Sequence, residues 1–144
     1  MACPYFDAVK PRCQTDRSRS AMLPLGDAWD GICRAAPESP WQPDETTLLS
    51  LCNMGYARGC CTRFPDGDGP DAARFTIAAA GPETVRVAYV FEHNHHPWSH
   101  GWLEFSRAAA SFAGPSADEG TLRLARAYVQ SYLRRIANRG QHGR

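Results

Sequence analysis

The sequence predicts an α+β fold: a small antiparallel sheet packed by a C-terminal helix, with a loop-rich, cysteine-bearing N-terminal half. Three observations predict it. Two stretches of alternating apolar and polar residues flank a Gly-Pro-Glu segment at 81–83, and a helical apolar repeat runs near the end of the chain. Residues 1–42, by contrast, are interrupted by Pro4, Pro11, Pro24, Pro37 and Pro40. At 144 residues the chain has the length of one ordinary domain. Within that single domain, 1–144, a cysteine-rich metal-binding half at 1–65 precedes a sheet-plus-helix half at 71–139.

Taken in order, residues 1–42 read as irregular, and the polar segment at 12–20 reads as a mobile loop. The first helix is predicted from about Pro43 to Asn53. Proline suits a first helical turn, Asp44 and Glu45 complement the positive helix end, and Leu48, Leu49, Leu51 and Cys52 form an apolar side. Gly55 is placed to end this helix in a left-handed conformation. Beyond Asp71 the period changes to two. Arg74–Ala78 and Thr84–Phe91 read as paired strands, with Gly81-Pro82-Glu83 as their turn. Trp102–Phe105 reads as a third strand, reached through a histidine-rich connection. A last helix is predicted from about Ala117 to Asn138, its apolar side carried by Leu122, Ala125, Tyr128 or Val129, Tyr132 or Leu133, and Ile136.

The net charge of +1 gives no general attraction to nucleic acid or to an anionic membrane surface. No apolar run approaches the roughly 20 residues that span a bilayer. The opening Met1-Ala2-Cys3-Pro4-Tyr5-Phe6-Asp7 lacks the basic stretch and apolar core of a secretory signal, so a cytoplasmic location is expected. In that compartment six cysteines read as metal ligands or redox groups before they read as disulfides.

The cysteines stand at 3, 13, 33, 52, 60 and 61, and no Cys-x-x-Cys pair occurs among them. Zinc ribbons and knuckles use such pairs to bring four sulfurs around one small ion. A [4Fe–4S] cube is larger and its irons point outward, so it accepts ligands from separate parts of a chain. Cys3 precedes a proline, Cys33 follows Gly31, Cys52 ends the predicted helix, and a glycine-bearing loop leads to Cys60-Cys61. Cys3, Cys33, Cys52 and Cys61 are therefore the expected ligands, with Cys60 the alternative fourth and Cys13 set aside in polar surroundings. Backbone amides of the 53–59 loop are expected to point at sulfur. Tyr5, Phe6, Trp29, Trp41, Met54, Tyr56 and Phe64 are expected to shield the cluster. Buried free thiols, disulfides and a structural zinc site are the competing readings.

The run Leu25-Gly26-Asp27-Ala28, the Gly-x-Cys at 31–33, and Leu51-Cys52-Asn53 followed by Gly55-Tyr56-Ala57, Gly59 and Cys61 resemble a pattern in short bacterial cysteine-rich proteins read as iron–sulfur proteins. The likeness extends to about residue 105. It implies the positions Cys3, Cys33, Cys52 and Cys61 and carries no established activity.

Four of the five histidines fall between 93 and 100. His93, His95 and His100 form a candidate second metal site or acid–base group, with Glu92 or Glu104 as carboxylate partner. The simpler reading is a polar hairpin connection with exposed histidines. The acidic loop Pro65–Pro70 is too short for an EF-hand and reads as a linker. The arginines of the last helix read as a solvated face, or as a dock for an acidic partner. The expected function is a small soluble iron–sulfur protein in electron transfer or redox sensing, working with a redox partner protein. The alternatives are a zinc-stabilised, non-catalytic binding module and a metal-dependent enzyme built on the 93–100 histidines.

Overall fold

The computed structural model describes residues 1–12, 23–36, 38–113 and 118–142, with side chains up to residue 137. Cys13 and all but Arg12 of the polar loop expected at 12–20 lie outside the described residues. Two antiparallel sheets and a C-terminal helix form the α+β architecture. The larger sheet is a meander of β3 (Ala72–Ala80), β4 (Thr84–His93), β5 (His96–Ser106) and β6 (Ser111–Ala113). Its period-two pattern turns Phe75, Val85, Val87, Leu103 and Phe105 inward, where α2 (Glu119–His142) covers them with Leu124, Ala125 and Val129. Asp118 caps α2 by accepting from Thr121 N at 2.7 Å.

β5 begins well before the expected Trp102. Asn94 and His95 both adopt left-handed backbone angles (φ +53° and +66°), the geometry of a two-residue hairpin, so the chain reverses between His93 and His96 with no longer connection. The histidine-rich segment is mostly strand.

The N-terminal half is less irregular than its prolines suggest. β1 (Phe6–Pro11) pairs antiparallel with β2 (Trp29–Cys33), setting Phe6 opposite Cys33 and Pro11, at the strand end, opposite Trp29. Gly31 makes this pairing possible. A Cβ there would lie 2.1 Å from the Asp7 carbonyl oxygen and 2.7 Å from the Phe6 ring.

The predicted 43–53 helix is real only in part. One α turn, α1 (Glu45–Thr47), is capped by Asp44, which leaves Pro43 before the cap and outside the first turn. It widens into a π turn, Leu48–Cys52, in which Asn53 N donates to Leu48 O at 3.0 Å. Gly55, at φ +81°, follows as expected.

A buried polar knot joins these elements. Asn53 accepts from Trp29 N at 2.9 Å and donates to Trp29 O at 3.1 Å and Leu48 O at 2.9 Å. The Trp29 indole N–H donates to Ser131 Oγ of α2 at 3.2 Å, and all three residues are almost fully buried. The neighbouring loop at 25–28 docks on the same helix. Asp27 pairs with Arg134, Arg135 donates to Gly26 O, and a Cβ on Gly26 would meet Ser131 Cβ at 2.7 Å. Arg134 and Arg135 thus hold the N-terminal half in place, which corrects the expectation of a solvated or partner-docking face at these two positions. One contiguous core runs from Ala2, Phe6, Leu25 and Trp29 to Leu103 and Val129.

Candidate metal centre

Each expected cysteine ligand is placed by an ordinary piece of backbone pairing. Ala2 exchanges two hydrogen bonds with Ala73 on the edge of β3 (2.8 and 2.7 Å), and the next residue, Cys3, donates its amide to Cys52 O at 3.1 Å. Cys33, the last residue of β2, exchanges two hydrogen bonds with Trp41 (2.8 and 3.0 Å). Cys52 closes the π turn, and the Cys61 amide donates to Ala57 O at 2.8 Å. Sheet edge, strand end, helical turn and loop each deliver one thiol.

The four thiols line one pocket, together with Tyr5, Ala35, Trp41, Leu51, Ala57, Arg63 and Phe64. It encloses about 20 Å³ of cavity, room for about one water molecule. Cys3 and Cys52 are buried, Cys33 and Cys61 half-buried, and Cys60 points to solvent; all five are free thiols. Burial is the main force on the two buried thiols, and the other cysteines add to it. Cys3 is pushed up to about 12 by burial and by Cys33 and Cys61; Cys52 rises to about 12 by burial and by Cys3, Cys33 and Cys61. Cys3 and Cys52 therefore lie within electrostatic reach of each other and of Cys33 and Cys61.

Without a metal, Cys3 and Cys52 stay protonated at neutral pH and are poor nucleophiles. The folded state keeps these protons above the ordinary thiol value of 9, where an unfolded chain gives them up, so rising pH favours unfolding. The metal-free protein is thus expected to lose thermal stability progressively between about pH 9 and 12, the window set by these two thiols. Melting curves across that range check this; a Cys3→Ala, Cys52→Ala double variant should flatten the slope.

The donor set has the chemistry of thiolate ligation: four thiols from four segments, apolar and aromatic neighbours, and no carboxylate in the lining among the described residues. Among the described residues, no group of three or more His, Cys, Asp or Glu side chains is placed to hold a metal ion.

Other site expectations change. Tyr5, Trp41 and Phe64 line the pocket, but Phe6 and Trp29 belong to the core and Met54 is exposed. Tyr56 turns away, stacking on His95 (4.3 Å) and donating to Glu92 at 2.5 Å. The loop amides are also committed. Within 53–59 this holds for Asn53, Met54, Gly55 and Tyr56, which donate to the Leu48, Leu51 and Asp71 carbonyls, and the adjoining Cys60 and Cys61 amides donate to Ala57 O, so these are not aimed at sulfur. The tight turns that bring Cys61 back toward Cys52 consume those donors. Arg63, which the sequence did not single out, borders the pocket, lies over the Trp41 ring at 5.1 Å and donates to Ser39 O at 3.1 Å.

The histidines do not gather. His93 Nδ1 is 2.7 Å from Gly69 O and 3.7 Å from Asp71, His95 stacks on Tyr56, and His100 pairs in register with Val90 farther along β5. The hairpin turn separates His95 from its neighbours, and strand length separates His100. Glu92 is taken by Tyr56, and Glu104 lies 3.6 Å from Arg86. The acidic loop 65–70 is organised by a cation already in the chain. Arg58 donates to Asp71 at 2.5 Å and to Gly67 O at 2.8 Å. Burial tends to raise the Asp71 carboxyl, but Arg58, the Asn94 amide and His93 hold it below its ordinary value.

Compared with family models, curated proteins and solved structures, the chain matches none of them.

Proposed function

We propose that this protein is a small iron–sulfur protein that carries or senses electrons, with Cys3, Cys33, Cys52 and Cys61 holding a [4Fe–4S] cluster. The observation that supports this reading is the convergence of four thiols, from four separate segments, on one apolar-walled pocket. A single zinc ion would draw four sulfurs to a point, whereas a cluster accepts thiolates from separate segments of a chain. When bound, the cluster would supply a one-electron couple.

The chain's own residues have definable tasks. Tyr5, Leu51, Ala57 and Phe64 exclude water from the sulfurs, and low polarity favours the lower net charge of the oxidised form. The Arg63 guanidinium at the pocket border favours added negative charge and so raises the potential. Trp41 and Arg63 also mark where a redox partner protein would come nearest.

The test is iron, zinc and acid-labile sulfide analysis, with a visible spectrum, on protein purified without oxygen. Near-equal iron and sulfide with broad thiolate–iron absorbance supports the proposal. Stoichiometric zinc without sulfide replaces it with a structural zinc module, and absence of all three after reconstitution removes it.

A further inference from the structure

A second cavity, unrelated to thiol chemistry, lies between the larger sheet and the start of α2. We propose that it binds a small organic cation of the quaternary-ammonium type. Its volume of about 430 Å³ is in the range of small-molecule sites. Four rings contribute to its walls: Tyr5 from the N-terminal segment, Tyr89 and Phe91 from β4, and Trp98 from β5. Asp118 also lines it, and among the described residues no lysine, arginine or histidine does.

The rings are held in place by features with no other evident purpose. Gly101 lies opposite Tyr89 in the β4–β5 register, and a Cβ there would meet Tyr89 Oη at 2.5 Å, so the glycine notch lets the tyrosine lie across β5. Phe91 meets Tyr89 edge to face at 5.8 Å. The extra residue that shifts the register between Phe91 and Glu92 is Trp98, half exposed and set against the His93 ring at 5.3 Å. A large aromatic left half in water beside an open cavity is the kind of surface that a ligand covers.

The electrostatics select the sign of that ligand. Aromatic faces attract cations, most strongly when the site is partly desolvated. The positive end of α2 would by itself favour an anion, at about half an elementary charge. The Asp118 carboxylate outweighs it, accepting from Thr121 N through Oδ1 while bringing a full negative charge to the lining. Rings, a net negative charge and no basic side chain in the described lining form a cage for a soft cation. Tyr5 lines both pockets, but no thiol enters this argument, so the two proposals stand or fall separately.

Choline and its uncharged isostere 3,3-dimethylbutan-1-ol are the probes, titrated calorimetrically into the full chain. Choline is expected to bind, and the alcohol at least about tenfold more weakly, because only the cation gains from the rings and the carboxylate. Asp118→Asn keeps a helix-capping side chain and removes the charge, so choline affinity should fall at least about tenfold at unchanged melting temperature. Trp98→Ala should weaken choline while leaving the fold intact. Equal affinity for the two probes, no choline binding, or undiminished binding by Asp118→Asn overturns the proposal.

Discussion

Replacing Asn53 by alanine is expected to lower the unfolding free energy by about 3 kcal/mol, read as a fall in the urea midpoint with little change in slope. The side chain is 1% exposed and serves three backbone groups. Leu48 O keeps a second partner in the Asn53 amide, but Trp29 N and Trp29 O would be left buried and unpaired. Each orphan costs about 1–3 kcal/mol, and the side chain's lost packing adds to that. Asn53→Asp is informative beside it, because a carboxylate still accepts from Trp29 N but faces the Trp29 and Leu48 carbonyls without a proton to offer. It should be at least as damaging at neutral pH and partly recovered in acid. A loss below about 1 kcal/mol for Asn53→Ala would mean that water replaces the amide, and that the knot is not what fastens the π turn to β2.

The second large effect concerns metal content. Serine at Cys3, Cys33, Cys52 or Cys61 is expected to cut bound iron and sulfide by more than about tenfold, since losing a ligand exceeds the 10–100-fold range typical of outer partners. Cys60→Ser should retain both, because this thiol is exposed and does not line the pocket. Alanine at His93, His95 or His100 should also leave the content unchanged, as those rings have other neighbours and do not converge. Loss on Cys60→Ser with retention on Cys61→Ser would reassign the fourth ligand. Full retention in all four primary variants would end the cluster proposal. The variants should still fold, because the walls of the pocket are joined by backbone pairs and by the Trp29–Asn53–Ser131 knot.

Much of this architecture was legible in the pattern of residues. The period-two runs around Gly81 and the helical repeat beyond residue 118 report burial of one face directly, and burial is what periodicity measures. β1 and β2 were hidden because they are short, carry prolines and charges, and depend on a glycine whose role is spatial: Gly31 matters through the carbonyl it lets approach. The π turn was hidden for a related reason. Its apolar residues match an α-helix, and only the Asn53 side chain, bonded to a strand some twenty residues earlier, changes the local winding. At the candidate site, residue type and local context pointed to four cysteines, and the fold places those four along one pocket. The shielding aromatics were less legible, since an aromatic residue near a cysteine in sequence can point to the core, to the thiol pocket or to a histidine, as Trp29, Tyr5 and Tyr56 do. Arg63 gave no signal at all, because a single arginine has no spacing to read.

The docking of residues 26–29 onto α2 has a consequence for how the chain is made. Trp29 meets Ser131, and Asp27 meets Arg134, across separations of 102 and 107 residues. A ribosome adding about 5–20 residues per second needs roughly 5–20 s to travel that distance. Throughout that interval Cys3 and Cys33 belong to a segment whose final support does not yet exist, while their thiols are already synthesised. An early metal encounter would thus meet an unfinished pocket and could capture the wrong pair of sulfurs. The order of events favoured by the fold is completion of α2 first and closure of the cysteine half onto it second; the proposed cluster would be delivered last.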